Sequence, residues 1–456
     1  MGLLIIISFL FVILVSVFSS TPLSIFSIGV FILLTGSLLC YLLSKGKQIV
    51  EKNLLVIFFL NFTFYLLYAV IVYYSYIEQN DFFLFSDQRT FYESGNYLSQ
   101  FTSIKDIFNA CFVERIHIET EGAYFIFGII SFLADRYLDG NSILLQSICV
   151  SYFAILTNLF VYKTLSFYVL PKQALKYTLF YALLTPIFFY SPWILRDIHI
   201  AFLYSIGIYL IHTSFSIKKL LLFIPLIIIT AEFRLEHGFF YLVFPLLYIL
   251  LQGRNHPNYK VIIKLFLIIA LVFSGVIINA ILPKLNSIRE GLSRYELYTE
   301  EALNYQGLGH YLYELPVGIK QIAIIIYSQI SSFPPWAIIE KSSSFLTFII
   351  GVIKFIVSVY WSLVFFFIVY SSFFKKSRML FSKNMIIYLT IVFLFFLLNT
   401  SNMNDRRLIA LYPLIYVVYV YLRNSLSNIN IKKLNIYSVS TYTILILIYT
   451  TWKFIL

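Results

Sequence analysis

The residue pattern best suited to chemistry is a dense run of ionisable side chains, Glu232-Phe233-Arg234-Leu235-Glu236-His237, between two apolar stretches. A turn between two helices needs some polar residues, but four ionisable groups in six positions exceed that need. The apolar stretches on both sides are short for a bilayer, which predicts that the turn lies recessed below the membrane surface. We therefore expect Arg234, Glu236 and His237 to belong to a site for a lipid-linked headgroup.

A second charged pair follows a proline–tryptophan corner. Arg196 and Asp197 end the segment Ser191-Pro192-Trp193-Ile194-Leu195-Arg196-Asp197, immediately before an apolar run. Charges at the mouth of a membrane span are costly and are functional candidates by default. Arg196 either pairs with Asp197 or binds a phosphate through its planar guanidinium. Alternatively, the segment is an interfacial anchor, because tryptophan and arginine favour that depth.

Acidic residues of the first long polar segment are candidates for acting on a hydroxyl group. Asp87 lies in Phe85-Ser86-Asp87-Gln88-Arg89-Thr90-Phe91-Tyr92-Glu93, shortly after a long apolar run. A carboxylate held near the membrane surface can act as a general base toward a sugar hydroxyl, or can orient it. Asp81 and Glu93 are alternatives, and the simplest explanation of any of these acids is a solvated loop.

Two later segments carry residues suited to phosphate and to sugar rings. Arg406 and Arg407 are adjacent and can hold a pyrophosphate, or can bind lipid headgroups instead. The polar stretch 284–341 is rich in tyrosine, whose flat apolar face and polar tip suit sugar rings. Its candidate binding residues are Arg289, Arg294, Tyr305 and His310. An amphipathic interfacial helix would explain the same tyrosines.

Apolar runs separate these segments and are long enough to cross a bilayer. The 456 residues are 60% hydrophobic and 12% charged, against about 25% charged in ordinary soluble domains. Backbone groups in lipid must bond within their own segment, so the runs are expected to be helices. The predicted spans lie at 2–19, 23–43, 54–77, 141–162, 175–191, 199–213, 219–231, 238–252, 261–283, 344–372, 384–399, 408–422 and 437–452. The first lacks a basic leader and a cleavage site, so we expect a retained helix.

The distribution of charge predicts the orientation. With the amino terminus inside, the short inner turns contain 18 of the 33 basic residues and one acid, Glu51. This is the asymmetry that the positive-inside rule describes. A span at 123–134 would turn Lys172 and Lys218 to the outer side, so that run is expected to be a helix lying on the outer face.

The expected architecture is an all-α, polytopic membrane protein with about 13 transmembrane helices. An N-terminal hairpin, 1–44, precedes a core region, 53–283, which contains a first large outer loop at 78–140. A second large outer loop, 284–343, is followed by C-terminal transmembrane helices, 344–456. Both outer loops are expected to bear interfacial helices, at 123–134 and at 319–330.

The sequence lacks the motifs that mark several functional classes. There is no Walker loop, no dinucleotide fingerprint and no metal-ligand spacing, and the three cysteines, Cys40, Cys111 and Cys149, are scattered. We therefore expect no cofactor and no metal, and the net charge of +12 reflects orientation rather than nucleic-acid binding. Lys354 is the one clear charge in the middle of a predicted span, whereas a proton-driven pump would need a chain of buried acids or histidines.

The arrangement resembles the GT-C class of integral-membrane glycosyltransferases, and within it the Wzy-type oligosaccharide polymerases. The resemblance covers roughly 53–422 and rests on an acidic residue in an early outer loop (Asp87 or Asp81), the interfacial helix at 123–134 and the segment 186–197. Arg234 and Arg407 near outer mouths also fit. The chain departs from the class in its extra hairpin and in having no Asp-x-Asp pair.

The resemblance implies an enzyme that polymerises undecaprenyl-pyrophosphate-linked oligosaccharide repeat units of lipopolysaccharide O-antigen or capsule. It would act at the outer face of the bacterial inner (cytoplasmic) membrane. Arginines would stabilise the pyrophosphate leaving group, and a carboxylate or histidine would activate the acceptor hydroxyl. The implied catalytic residues are Asp87, Asp81, Glu236 and His237. The implied substrate-binding residues are Arg196, Asp197, Arg234, Arg289, Arg294, Tyr305, His310, Arg406 and Arg407. Its partners would be the lipid-linked oligosaccharide, membrane lipid, a chain-length regulator and a flippase.

Two alternatives stay open at this point. A GT-C transferase that uses a polyprenyl-phosphate sugar donor would show the same pattern. A lipid-linked-oligosaccharide flippase belongs to a different class and is expected to have two similar halves with charges facing a central cavity. The concentration of charge in two outer loops argues against transport.

Overall fold

The computed structural model describes residues 2–79, 86–115, 120–254, 256–281, 311–312, 314–316, 318–330, 334–340, 342–374, 382–398 and 405–455. Within these ranges every regular element is a helix. The helices of the first half are α1 (Gly2–Val17), α2 (Pro22–Ser44), α3 (Gln48–Gln79), α4 (Ser86–Ser99), α5 (Ile104–Phe108), a π turn (Asn109–Val113), α6 (Glu121–Tyr137), α7 (Ile143–Leu165), α8 (Pro171–Leu184), α9 (Pro186–Tyr190) and α10 (Arg196–Ile211). Those of the second half are α11 (Ile217–Phe233), α12 (Leu235–Tyr241), α13 (Val243–Gln252), α14 (Tyr259–Ile281), α15 (Ile319–Gln329), α16 (Ala337–Glu340), α17 (Phe345–Phe373), α18 (Lys383–Leu398), a 3-10 helix (Asp405–Leu411), α19 (Tyr412–Ser425) and α20 (Asn428–Ile455).

Seven helical segments in the described ranges are long and apolar enough to cross a membrane. They are Pro22–Ser44, Gln48–Ile77, Ile143–Leu165, Leu235–Gln252, Phe345–Phe373, Arg406–Ser425 and Asn428–Thr451. Each overlaps a span predicted from the sequence. The prediction of an all-helical polytopic membrane protein is therefore confirmed at this level.

The centre of the bundle is α7. In its most apolar stretch 83% of residues are buried, against 17% in α20, so α20 lies on the outside of the bundle. Asn158 of α7 donates from Nδ2 to the Tyr65 hydroxyl at 3.0 Å, and that hydroxyl donates to the Ala182 carbonyl at 2.7 Å. Hydrogen bonds between helices in an apolar surround hold them in register, so this chain of bonds joins α3, α7 and α8.

The predicted first outer loop contains a closely packed helix pair. A Cβ atom added at Gly95 of α4 would lie 2.9 Å from Ser131 Oγ, and one added at Gly128 of α6 would lie 2.8 Å from Leu98 Cδ1. A Cβ at Gly95 would also lie 3.2 Å from the Phe127 carbonyl oxygen, so the missing side chain lets α4 approach the backbone of α6 closely. The helix predicted at 123–134 is confirmed as α6, and its position on the outer face stays a prediction.

The start of α6 rests against the end of α11. A Cβ at Gly122 would lie 3.2 Å from the carbonyl carbon of Glu232. The α4–α6 pair is thereby fixed beside the charged turn that the sequence singled out.

The predicted second outer loop is described only in part. Its α15 has 11 residues, too few for a span of about 20, which agrees with the prediction that 319–330 does not cross.

Asp139 connects the predicted first outer loop to the N-terminal hairpin. Its carboxylate accepts hydrogen bonds from the backbone N–H groups of Leu23 and Ser24 at 2.7 and 2.8 Å, and from Ser24 Oγ at 2.6 Å. Burial alone would raise the pKa of Asp139, but the bonds from Ser24 and Leu23 outweigh it and hold that pKa below its ordinary value. The carboxylate thus caps the first turn of α2 in its charged form.

We expect Asp139→Ala to lower the free energy of unfolding by about 1 kcal/mol, the usual value for a lost helix cap. The pKa is lower in the folded chain than in the unfolded one. The contribution of Asp139 to stability is therefore present at a pH above its unfolded-state pKa. It is lost as the pH falls through its folded-state pKa. Unfolding of the detergent-purified protein at neutral and acidic pH measures both effects. Glu93→Ala is the control, since its exposed pair with Arg89 is 3.9 Å long and contributes little.

Candidate functional site

Two arginines from distant segments share one buried carboxylate. Asp197 lies in the first turn of α10, Arg234 joins α11 to α12, and Arg406 lies in the 3-10 helix. Arg234 Nη1 is 3.4 Å from Asp197 Oδ1, and Arg406 Nε is 3.3 Å from Asp197 Oδ2. All three side chains are at most 6% exposed. Buried ions are stable only when paired, so each of these groups depends on the others.

Arg406 also reaches the predicted outer loop. Its Nη2 donates to Asp87 Oδ2 at 2.5 Å, across 319 positions of sequence. Asp87 lies in the first turn of α4, and its side chain is 42% exposed. One guanidinium thus joins a buried carboxylate of the helix bundle to an accessible carboxylate of the loop.

Three further charged residues lie around Arg234, Arg406 and Asp197. Glu236 forms an ion pair with Arg234, with Oε1 3.2 Å from Nε, and its side chain is 63% exposed. Arg196 is half-buried and donates to the Phe233 carbonyl at 3.5 Å. Arg407 is half-buried and acts electrostatically on Asp197. We call the set Arg196, Arg234, Arg406, Arg407, Asp87, Asp197 and Glu236 the arginine cluster.

A one-residue break in the chain places Arg234 in this cluster. Arg234 is extended (φ −166°, ψ 120°) between the last residue of α11 and the first of α12. The corner is tight, because a Cβ at Gly238 would lie 2.4 Å from the Ala231 Cβ. The predicted turn exists, but it is shorter than the six residues expected. Helix α11 continues through Phe233 and α12 begins at Leu235, since only Arg234 has to leave the helical conformation.

The electrostatics of the cluster keep its buried carboxylate ionised. Burial would raise the pKa of Asp197, but the guanidinium groups of Arg406, Arg234 and Arg196 outweigh it and lower that pKa, so Asp197 stays ionised at neutral pH. The cluster combines four guanidinium groups with three carboxylates. Guanidinium groups are suited to binding the oxygens of an anionic ligand such as phosphate.

His237 differs from the other predicted catalytic residues in being enclosed. It is 2% exposed, and its ring lies 5.6 Å from the Tyr204 ring and 5.4 Å from the Phe395 ring, measured between centroids. Neither ring nitrogen has a hydrogen-bond partner among the described residues. Asp87 and Glu236 are therefore better exposed to a hydroxyl substrate than His237 is.

A buried lysine that the sequence prediction left out of the site lies nearby. Lys354, in the middle of α17, donates from Nζ to the Tyr190 hydroxyl at 3.2 Å and lies 4.4 Å from the centre of the Phe189 ring. Helix α9, which carries both aromatics, packs on α17 and on the 3-10 helix of Arg406. The sequence feature that could have pointed to Lys354 is its charge in the middle of a predicted span. Its neighbour Tyr190 lies 164 positions away, which no local pattern reveals.

The predicted site residues divide into two groups. One group comes together in the cluster, with His237 in the adjoining helix α12: Asp87, Arg196, Asp197, Arg234, Glu236, Arg406 and Arg407. Asp81, Arg289, Arg294, Tyr305 and His310 lie outside the described residues. Where side chains are described, no group of three or more possible metal ligands occurs.

Comparisons of the chain with protein-family models, with curated proteins and with solved structures found no match. Any function assigned to it therefore rests on its own residues.

Proposed function

We propose that this chain polymerises oligosaccharide repeat units that are linked to undecaprenyl pyrophosphate, as O-antigen or capsule polymerases do. The observation that carries the proposal is the arginine cluster, in which Arg234 and Arg406 both contact one buried carboxylate. The proposal includes the finer architecture expected from the sequence: about 13 spans in a GT-C-like arrangement, in the inner membrane of a bacterium.

The cluster suits the leaving group of such a transfer. When the bond between the sugar and the pyrophosphate breaks, negative charge develops on the phosphate oxygens. Guanidinium groups fixed in advance stabilise that charge without reorganising during the reaction, and their planar forks match phosphate oxygens. Asp197 acts as a positioning residue, because it contacts and orients Arg234 and Arg406 and is itself buried.

Asp87 is the best-supported base for the acceptor hydroxyl. It is partly exposed, it touches the arginine that would hold the leaving group, and it lies on a helix of the outer loop. A base must lie within hydrogen-bond reach of the proton that it accepts, and a hydroxyl entering from the loop side can reach Asp87. Glu236 is the second candidate on the same grounds of exposure and contact with an arginine.

The decisive experiment supplies the purified protein, in sealed lipid vesicles, with repeat units on undecaprenyl pyrophosphate from the source organism. The proposal requires a ladder of polymers with regular spacing on a gel. Transfer of a single sugar from a polyprenyl-phosphate donor would support the alternative transferase instead. Movement of the lipid-linked unit across the bilayer without bond formation would indicate a flippase.

The orientation makes a separate prediction about labelling. On a background lacking Cys40, Cys111 and Cys149, cysteines at Glu93 and Glu114 should react with an impermeant maleimide in intact cells. Cysteines at the exposed positions Lys47 and Lys218 should react only after the cells are opened. Labelling at Lys218 with protection at Glu93 would invert the assignment, because the charge asymmetry allows one orientation.

A further inference from the structure

A groove in the outer loop lies apart from the arginine cluster. It has a volume of about 510 Å³ and runs from the end of α4 across α5 to the π turn. Its chemically distinctive lining residues are Tyr97, Gln100, Phe101, Asp106, Asn109 and Glu114. None of them takes part in the contacts of the cluster described above.

The lining combines an aromatic platform with groups that bind hydroxyls. Tyr97 is 49% exposed, and its ring meets that of Phe101 edge-to-face at 5.8 Å. A flat exposed ring can stack against the C–H face of a sugar, while its hydroxyl remains in water. Carboxylates accept hydrogen bonds and side-chain amides both accept and donate them, so Asp106, Glu114, Gln100 and Asn109 complement the hydroxyl rim of a sugar.

The groove is held in shape from beneath. The neighbouring side chains of Leu98, Ile107 and Cys111 are at most 3% exposed. The rings of Phe112 and of Phe125 in α6 are 5.0 Å apart. These apolar contacts pack the segment that carries the groove against α6. A preformed site loses less entropy on binding than a mobile loop does.

Asp106 is fixed in its charged form. Its Oδ2 accepts hydrogen bonds from Thr102 Oγ1 at 2.6 Å and from Ser103 Oγ at 2.8 Å. These bonds, the one from Thr102 first, lower the pKa of Asp106. Ser103 is also the N-cap residue of α5 and accepts from the Asp106 N–H, so the helix start holds the Asp106 carboxylate in place at the groove.

The groove and the cluster lie at two ends of one helix. Asp87 is in the first turn of α4 and Tyr97 near its end, ten positions apart, which corresponds to about 15 Å along the helix axis. A substrate with an anionic end at Arg406 and a saccharide of several rings can therefore extend along α4 toward Tyr97.

We propose that this groove binds saccharide, and that it holds the oligosaccharide part of the substrate while the arginine cluster holds the anionic part. The assignment of that saccharide to a polymerase substrate rests on the proposed function. Saccharide binding itself does not, because it needs neither the lipid nor the pyrophosphate. The two can therefore be tested separately.

The probe is a fluorescently tagged pool of oligosaccharides, released by mild acid from the surface polysaccharide of the source organism and free of lipid and phosphate. Binding to the full-length protein in detergent is measured by fluorescence anisotropy. We expect Tyr97→Ala to weaken binding about 10-fold, as loss of an aromatic stacking surface would, and Tyr97→Trp to retain it. Tyr137→Ala is the matched control, since Tyr137 is 68% exposed in the same loop and does not line the groove.

Arg406→Lys separates the two proposals. It should leave binding of the free saccharide pool unchanged while impairing polymer formation. Binding by the wild-type protein without any polymerisation would sink the proposed function and keep the saccharide site. Equal binding by wild type and Tyr97→Ala, or no binding by the wild type, overturns the saccharide site whatever the activity.

Discussion

Replacing Arg234 or Arg406 by lysine is expected to slow polymer formation about 10²–10³-fold, the usual loss when one fixed donor to a developing oxyanion is removed. Lysine keeps the positive charge but offers a single ammonium in place of a planar fork. Arg406 uses that fork to contact two carboxylates at once, at Asp87 and at Asp197. One ammonium cannot hold both contacts and also meet a phosphate.

The measurement is the polymer ladder made by each variant at equal membrane abundance. Arg136→Lys is the matched control. Arg136 is exposed in α6, within the predicted first outer loop, and its Cζ lies 5.8 Å from the centre of the Phe132 ring. At such an anchor, lysine reaches the interface equally well, so its ladder should be normal. Normal ladders from both Arg234→Lys and Arg406→Lys would reduce the cluster to a structural ion network and remove the basis of the proposed function.

Asp197→Asn is expected to destabilise the fold by about 3–5 kcal/mol, the range for breaking a buried ion pair. The asparagine amide keeps the shape of the side chain but leaves Arg234 and Arg406 without the carboxylate that they share. The pKa of Asp197 is lower in the folded protein than in the unfolded chain. Its stabilising contribution is therefore complete above an ordinary carboxyl pKa of about 4 and declines as the pH falls through the folded value.

Denaturant unfolding in detergent distinguishes this effect from a catalytic one. Asp87→Asn should lower the free energy of unfolding much less than Asp197→Asn does, since the Asp87 side chain is 42% exposed. It should nevertheless impair polymer formation. A double variant, Asp197→Asn with Arg234→Met, should recover part of the loss because it removes one of the two stranded charges. Wild-type stability in Asp197→Asn would show that the buried pairs contribute nothing.

The sequence predicted the helices and the segments of the site, but not their contacts. A membrane helix is a property of about 20 consecutive residues, so apolar runs locate α2, α3 and α7 directly. The partner of Arg406 depends on how the 3-10 helix is rotated and on where α4 docks, 319 positions away. Adjacent arginines look equivalent in sequence, yet Arg406 makes the close contacts with Asp87 and Asp197. Lys354 could be flagged as a buried charge but not joined to Tyr190.

The double contact of Arg406 gives the two halves of the site different sensitivities to ionic strength. The contact with Asp197 is enclosed, and dissolved ions screen enclosed charges weakly. The contact with Asp87 is open to solvent on the carboxylate side, where ions can approach and compete. Concentrated salt therefore weakens the contact of Arg406 with Asp87 before its contact with Asp197. The buried half of the site keeps its arrangement under ionic conditions that loosen the exposed half.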